Sequence, residues 1–231
     1  MPTSKKARLK KTKKIFSIGE AVRFGWKSAV DNIEILLAVA AIRFLLDAFG
    51  VLFDFLWKHN GGEDTLKFLG LFGRFFLYWP MDIWISTGTL LIAIKLATSK
   101  DVLLMDLFPS LKRTLKFLAG SILVGVLVLV GFLLLIVPGI IWAIKYQFVP
   151  YLMADKLLPM GKAFDLSEKM TKGQKWDLFR FGLNCVGILL LGLLVFCVGI
   201  FWAMLVVQIA ASFVYRKLLL KADRRLALKA V

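Results

Sequence analysis

Among the ionisable side chains that fall within the apolar runs of this 231-residue chain are Arg43, Asp47, Asp54, Arg74, Asp82 and Lys145. Charge embedded in apolar sequence either pairs or lines a polar cavity, because an isolated ion is costly in a low-dielectric medium. Arg43 and Asp47 are one helical turn apart, and Gly50 and Asp54 continue the same face. In an antiparallel hairpin the index sums of residues at equal depth stay nearly constant. That rule sets Asp54 opposite Arg74, and Asp82 opposite Arg43 and Asp47. The expected pairs are Asp54–Arg74, and Arg43 with both Asp47 and Asp82. Such a cluster could form a polar pathway or ligand pocket between helices, or a buried network that fixes how they pack. No third helix offers a clear polar stripe, which favours the packing network.

Other chemistry has less to work with. His59 is the single histidine and lies in the loop KHNGGEDT, so no His-based metal centre, serine–histidine triad or Cys–His pair can be assembled. Cys185 and Cys197 are about 18 Å apart along one helix, too far for a disulfide, and read as small buried hydrophobes. MGKAF and TKGQKW lack the spacing of a phosphate-binding loop. Asp101 and Asp106 read as ordinary loop acids. No catalytic residue, metal or cofactor is expected.

Composition determines what elements must hold the charges. Hydrophobic residues make up 59% of the chain, more than the roughly 45–50% that a soluble domain uses. The predicted fold is therefore all-α: a polytopic integral membrane helical bundle with an amphipathic N-terminal helix and six transmembrane helices. The spans are expected at 33–57, 66–96, 117–137, 140–154, 177–196 and 200–218, with basic tails at 1–16 and 219–231. Ser17 and Glu20 fit a capping box for the entry helix, whose apolar side carries Phe16, Ala21, Val22, Trp26 and Val30. A kink is expected at Trp79-Pro80. A single helix from Phe117 to Asp155 would extend about 58 Å, far beyond the roughly 30 Å hydrocarbon core. Pro138-Gly139 is the expected hairpin turn. The same length argument places a bend near Cys197-Val198-Gly199. A short helix follows Pro159, with i, i+4 pairs Asp165/Lys169 and Glu168/Lys172. No strong internal repeat is expected.

Lys and Arg outnumber Asp and Glu by 31 to 15. Segments 1–32, 98–116, 155–176 and 216–231 carry nine, four, five and six of these cations, against one in KHNGGEDT. An even span count and this bias agree on N-in/C-in topology under the positive-inside rule. The expected partners are membrane lipids through anionic headgroups, with a membrane-protein partner or a second copy also open. Nucleic-acid binding lacks a folded basic module.

The stretch LLLIVPGIIWAIKYQFVPYLMAD, followed by AFDLSEKMTKGQKWDLFRFGL and AASFVYRKLL, resembles a bacterial multi-pass membrane family catalogued as domain of unknown function 975. The matching residues are Pro138, Gly139, Tyr146, Pro150, Asp155, Ala163, Ser167, Gly173, Phe213 and Tyr215. More loosely, FSIGEAVRFGW resembles the entry helix of the membrane domain attached to some glycerophosphodiester phosphodiesterases. The catalytic domain of those enzymes is not matched, so their activity is not implied. The resemblance implies a six-helix protein of a prokaryotic cytoplasmic (inner) membrane and supplies no catalytic residues. The functional expectation is a non-catalytic, lipid-interacting or envelope-associated scaffold. The alternative is a transporter or channel component using Arg43, Asp47, Asp82 and Lys145 around a polar cavity.

Overall fold

The protein is described by a computed structural model over residues 15–60, 72–194 and 196–227. The basic segment 1–14, most of the loop KHNGGEDT, the start of the expected second span and the last four residues lie outside the described residues. So do the side chains of Asp54, His59, Arg74 and Cys197.

Nine α-helices follow in order among the described residues: α1 Ile18–Asp31, α2 Ile33–Asn60, α3 Trp79–Leu96, α4 Leu111–Leu134, α5 Ile136–Tyr146, α6 Val149–Asp155, α7 Met160–Thr171, α8 Lys175–Leu194 and α9 Phe196–Ala227. A π-helical turn, Arg74–Tyr78, leads into α3, and a 3-10 turn, Leu104–Leu107, precedes α4. The expected kink at Trp79-Pro80 takes the form of this π turn, a common way to absorb a proline near a helix start.

Among the described residues, five stretches are long and apolar enough to cross a bilayer: Ile33–Leu52, Leu111–Leu134, Ile136–Asp155, Lys175–Leu194 and Gly199–Arg224. The stretch Gly199–Arg224 is 56% buried and the others at most 28%, which makes α9 the central staff of the bundle. It packs on α1, α2, α3, α7 and α8. Small residues Ala203, Ala210 and Ser212 let neighbouring helices come close, while Ile209, Tyr215 and Leu218 fill the space between them. The expected tail at 219–231 begins too early, because α9 continues to Ala227 and buries Leu219 and Ala222.

α1 also differs from expectation. Its buried stripe is Ala21, Gly25 and Ala29, pressed on α9, while Trp26 and Val30 remain exposed. Phe16, expected on the apolar side of the entry helix although within the bounds of the tail, is buried edge-on against Phe181 of α8. The Ser17 hydroxyl makes no cap bond, and Glu20 pairs with Lys217 of α9. Tertiary contact with α9 thus outweighs the interfacial face, while the Glu20 carboxylate keeps the Ser17 N–H as a partner.

The turn expected at Pro138-Gly139 lies instead at Leu135, whose extended backbone (φ −166°, ψ 152°) separates α4 from α5. Pro138 sits in the first turn of α5, where its missing N–H costs nothing, and Val137 before it is helical all the same. Gly139 serves a different purpose: a Cβ on Gly131 would stand 2.9 Å from Gly139 Cα, so the two chains touch backbone to backbone at the hairpin apex. The span expected at 140–154 is α5 and α6 in sequence, interrupted at Gln147-Phe148. The second hairpin repeats this device: α8 is described to Leu194 and α9 from Phe196, and the reversal falls between Gly192 and Gly199, where the bend near Cys197-Val198-Gly199 is expected. A Cβ on Gly192 would lie 2.9 Å from the Gly199 carbonyl oxygen. Gly139-Ile-Ile-Trp-Ala and Gly199-Ile-Phe-Trp-Ala head the returning helices, a repeat that sequence reading passed over.

Replacing Gly131 by Leu forces these two backbones apart. The expected loss is about 1–3 kcal/mol of stability, the usual cost of overpacking, read as a lower unfolding midpoint in detergent. An unchanged midpoint for Gly131→Leu would contradict the hairpin contact.

Candidate functional site

The first polar constellation joins α2 to α3. Arg43 donates through Nη1 to Ser86 Oγ at 2.7 Å and pairs through Nη2 with Asp82 Oδ1 at 2.9 Å. Asp82 and Ser86 are one helical turn apart, so they offer two acceptors to one guanidinium fork. The expected Arg43–Asp47 pair is replaced by a different contact, in which Asp47 Oδ1 accepts a hydrogen bond from the Tyr78 hydroxyl at 3.2 Å. The fork points across to α3 rather than along its own helix. Gly50 makes room for the Tyr78 ring, where a Cβ would lie 2.6 Å from Cε2. Tyr78, Asp82 and Ser86 follow one another at four-residue spacing, a signal that could have picked out Tyr78 and Ser86 from sequence. The expected Asp54–Arg74 pair lies outside the described side chains.

Lys145 does not join this group. It pairs with Glu168 of α7 at 2.8 Å and stacks over the Tyr146 ring. Glu168, expected to pair with Lys172, therefore turns toward α5, while Lys169 pairs with Asp165 as expected.

A cavity of about 350 Å³ lies beside Arg43, between α2, α3, α4, α6, α8 and α9. Its polar wall is Arg43, Ser86, Thr89, Tyr151 and Gln208, and the remaining lining is apolar. Asp47, Asp82 and Lys145 do not line it.

The second constellation is a cleft of about 630 Å³ at the end of the bundle where α3, the 3-10 turn, α4, α6 and α9 converge. Lys95, Lys100, Arg113, Lys156 and Arg216 line it together with Asp106 and Asp155. The 3-10 wall is held in three ways. Lys95 pairs with Asp106 at 2.5 Å, Trp84 Nε1 donates to the Pro109 carbonyl at 2.8 Å, and Leu107 lies on Gly88, where any Cβ would collide with its backbone. Burial pushes the Asp106 carboxyl up, but hydrogen bonds from Lys95 and the Leu103 N–H overcome this and leave it below the usual carboxylate range.

The residues singled out by resemblance build the frame behind this cleft. Tyr215, fully buried on α9, donates to Asp155 Oδ2 at 3.1 Å. Pro150 abuts Gly120 of α4, and Ala163 is buried. Ser167 Oγ donates to the Lys145 carbonyl at 2.9 Å, satisfying the end of α5. Tyr146 packs on Phe164, Phe213 stacks on Phe24 of α1, and Gly173 takes a left-handed φ of +80° after α7.

This frame coincides with a family pattern. The model of the family described as protein of unknown function (DUF975) matches residues 77–222. The chain belongs to this family. Every residue that carried the resemblance falls inside the matched segment, whereas the entry-helix likeness to glycerophosphodiester phosphodiesterase membrane domains falls before it and gains no support. No curated protein and no solved structure matches the chain. The DUF975 segment thus includes Tyr78, Asp82 and Ser86 and all the residues named around the cleft, while Arg43 and Asp47 precede it.

Two outcomes follow from the site geometry. Arg43→Met and Asp82→Leu each strand a partner, so the double variant is expected to recover about 1–3 kcal/mol relative to the sum of the singles in a double-mutant cycle. Additive losses would mean the pair is not coupled. Because the Asp106 carboxyl is lowered in the folded protein, its contribution is present above its ordinary value of 3.8 and is lost as pH falls through the folded value. The wild-type unfolding midpoint should therefore drop more steeply than that of Asp106→Asn as pH falls below the ordinary value of 3.8, and parallel curves would refute the assignment.

Proposed function

We propose that this DUF975 protein is a six-crossing, N-in/C-in protein of a prokaryotic cytoplasmic membrane that acts without catalysis, by engaging anionic lipids from its basic face. The observation that carries the reading is the division of charge: between α2 and α3, Arg43 pairs with Asp82 and Asp47 accepts from Tyr78, while Lys100, Lys156 and Arg216, with no ion partner among the described residues, share one cleft. Apolar side chains such as Leu45, Phe49, Leu129 and Leu190 cover the sides of the bundle, as a lipid-facing surface requires. Each near-surface Lys or Arg contributes about 1 kcal/mol toward an anionic leaflet. The same basic face leaves room for a membrane-protein partner or a second copy of the chain.

A transporter or channel component is the second reading, and the cavity beside Arg43 is the observation in its favour. It ranks lower because three of the four residues expected to line a pathway, Asp47, Asp82 and Lys145, are absent from its wall.

Labelling of single cysteines placed at Lys100, Lys162 and Asp223 in sealed inverted vesicles tests the topology. All three are expected to react from the cytoplasmic side, and labelling of any one from the opposite side would refute the six-crossing arrangement. Solute flux in proteoliposomes separates the two functional readings. A flux that is abolished in a folded Asp47→Asn/Asp82→Asn variant would overturn the lipid-engaging reading in favour of transport.

A further inference from the structure

The basic cleft has the composition of an anion site. Five cations and two carboxylates line it, an excess of three positive charges. Both carboxylates are already engaged, Asp106 with Lys95 and Asp155 with the Tyr215 hydroxyl. Arg113 is anchored by Nη1 against the carbonyl oxygens of Ala154 and Asp155, at 3.3 and 3.5 Å, which leaves further guanidinium N–H groups to donate. Lys100, Lys156 and Arg216 have no carboxylate partner among the described residues.

The backbone adds to this excess. Pro109 and Ser110 line the cleft at the start of the 24-residue helix α4. Arg113 and Thr114 N–H groups bond to the Ser110 carbonyl, so the Leu111 and Lys112 N–H groups fall outside the helix's own ladder, and the Ser110 side chain caps neither. A helix start with open N–H groups favours negative charge, and Arg113 stands one turn inside it.

The rim narrows the ligand class. Met105 and Phe108 line the cleft and are 77% and 53% exposed, with Leu103, Leu104 and Leu111 exposed around them. An anion bound here has apolar side chains on one flank and cations on the other. The volume suits a headgroup-sized ligand.

We propose that this cleft binds a phosphate group, on a lipid headgroup or on a free phosphate ester, held by Lys100, Arg113, Lys156 and Arg216 in front of the α4 N-terminus. The proposal rests on the lipid-engaging reading and gives it a defined site. Arg113 and Arg216 offer planar donor forks to the phosphate oxygens, and Lys100 and Lys156 supply mobile charge at the mouth. Lys95 acts indirectly, since its pairing with Asp106 sets the 3-10 wall.

The test uses the full chain in nonionic detergent, with native mass spectrometry as readout. It is titrated with short-chain phosphatidylglycerol, with diacylglycerol as the phosphate-free control, and with glycerol phosphate and inorganic phosphate as the soluble arms. One phosphatidylglycerol is expected to be retained and diacylglycerol not. Lys100→Gln/Lys156→Gln, at two exposed positions that leave the core intact, should weaken retention at least about tenfold, and Arg216→Gln similarly. The control Lys162→Gln/Lys172→Gln removes equal charge elsewhere and should change retention by no more than about threefold. Binding of glycerol phosphate alone, sensitive to the same variants, would make the ligand a free phosphate ester, and retention of the lipid alone would make it a headgroup. Equal weakening by both double variants would overturn the cleft while leaving general lipid engagement standing. Equal retention of diacylglycerol would overturn phosphate recognition. Solute flux that is lost in the folded Asp47→Asn/Asp82→Asn variant would overturn the lipid-engaging reading itself, independently of these titrations.

Discussion

A helix that ends inside lipid leaves carbonyl groups that water cannot reach, so another part of the protein must satisfy them. The architecture around α5 and α6 depends on this constraint. α5 stops at Tyr146, in the interior of an apolar stretch, and the freed Lys145 carbonyl accepts from Ser167 and, at 3.4 Å, from Thr171 of α7. α6 stops at Asp155, and its last carbonyls accept from Arg113, while Lys116 donates to the carbonyls of Leu157 and Leu158 just beyond. The interruption within this stretch is tolerable because α7 delivers donors to it, and α4 delivers donors to the end of α6.

The same constraint explains why the family-pattern residues sit where they do. Ser167 satisfies a helix end, Tyr215 ties the last residue of α6 to the central helix α9, and Pro150 starts α6 where its missing N–H is not needed. None of them is positioned to act on a substrate in the cavity beside Arg43. Pro150 against Gly120 sets α6 on α4, and Tyr215 against Asp155 sets α6 on α9. The basic cleft lies where these helices converge.

Charges follow the logic of the backbone. Arg43 finds Asp82 and Ser86 across the α2–α3 contact, and Lys145 finds Glu168 across the α5–α7 contact. Each pair joins two elements, so polar groups here specify which helices are neighbours in a medium where apolar surface alone discriminates poorly. At the basic cleft Lys100 and Lys156 are exposed and, with Arg216, need no such partner.

Sequence alone determined the helical class, the apolar runs of membrane-spanning length and the existence of hairpins, because those runs are too long to be single helices against a core of roughly 30 Å. It also placed Arg43 against Asp82, since an antiparallel hairpin has few registers. Tertiary structure decided the rest. The turn moved to Leu135 because Gly131 and Gly139 can touch there, a contact between residues whose meeting depends on the path of both helices. α1 turned its Ala21–Gly25–Ala29 stripe to α9, which no pattern within α1 could reveal. Lys100, Arg113, Lys156 and Arg216 come from four separate segments and share no spacing, so only the packing of α3, α4, α6 and α9 brings them to one cleft. Run length and periodicity are local properties of a chain, whereas a site assembled from distant segments exists only once their backbones have found their separation.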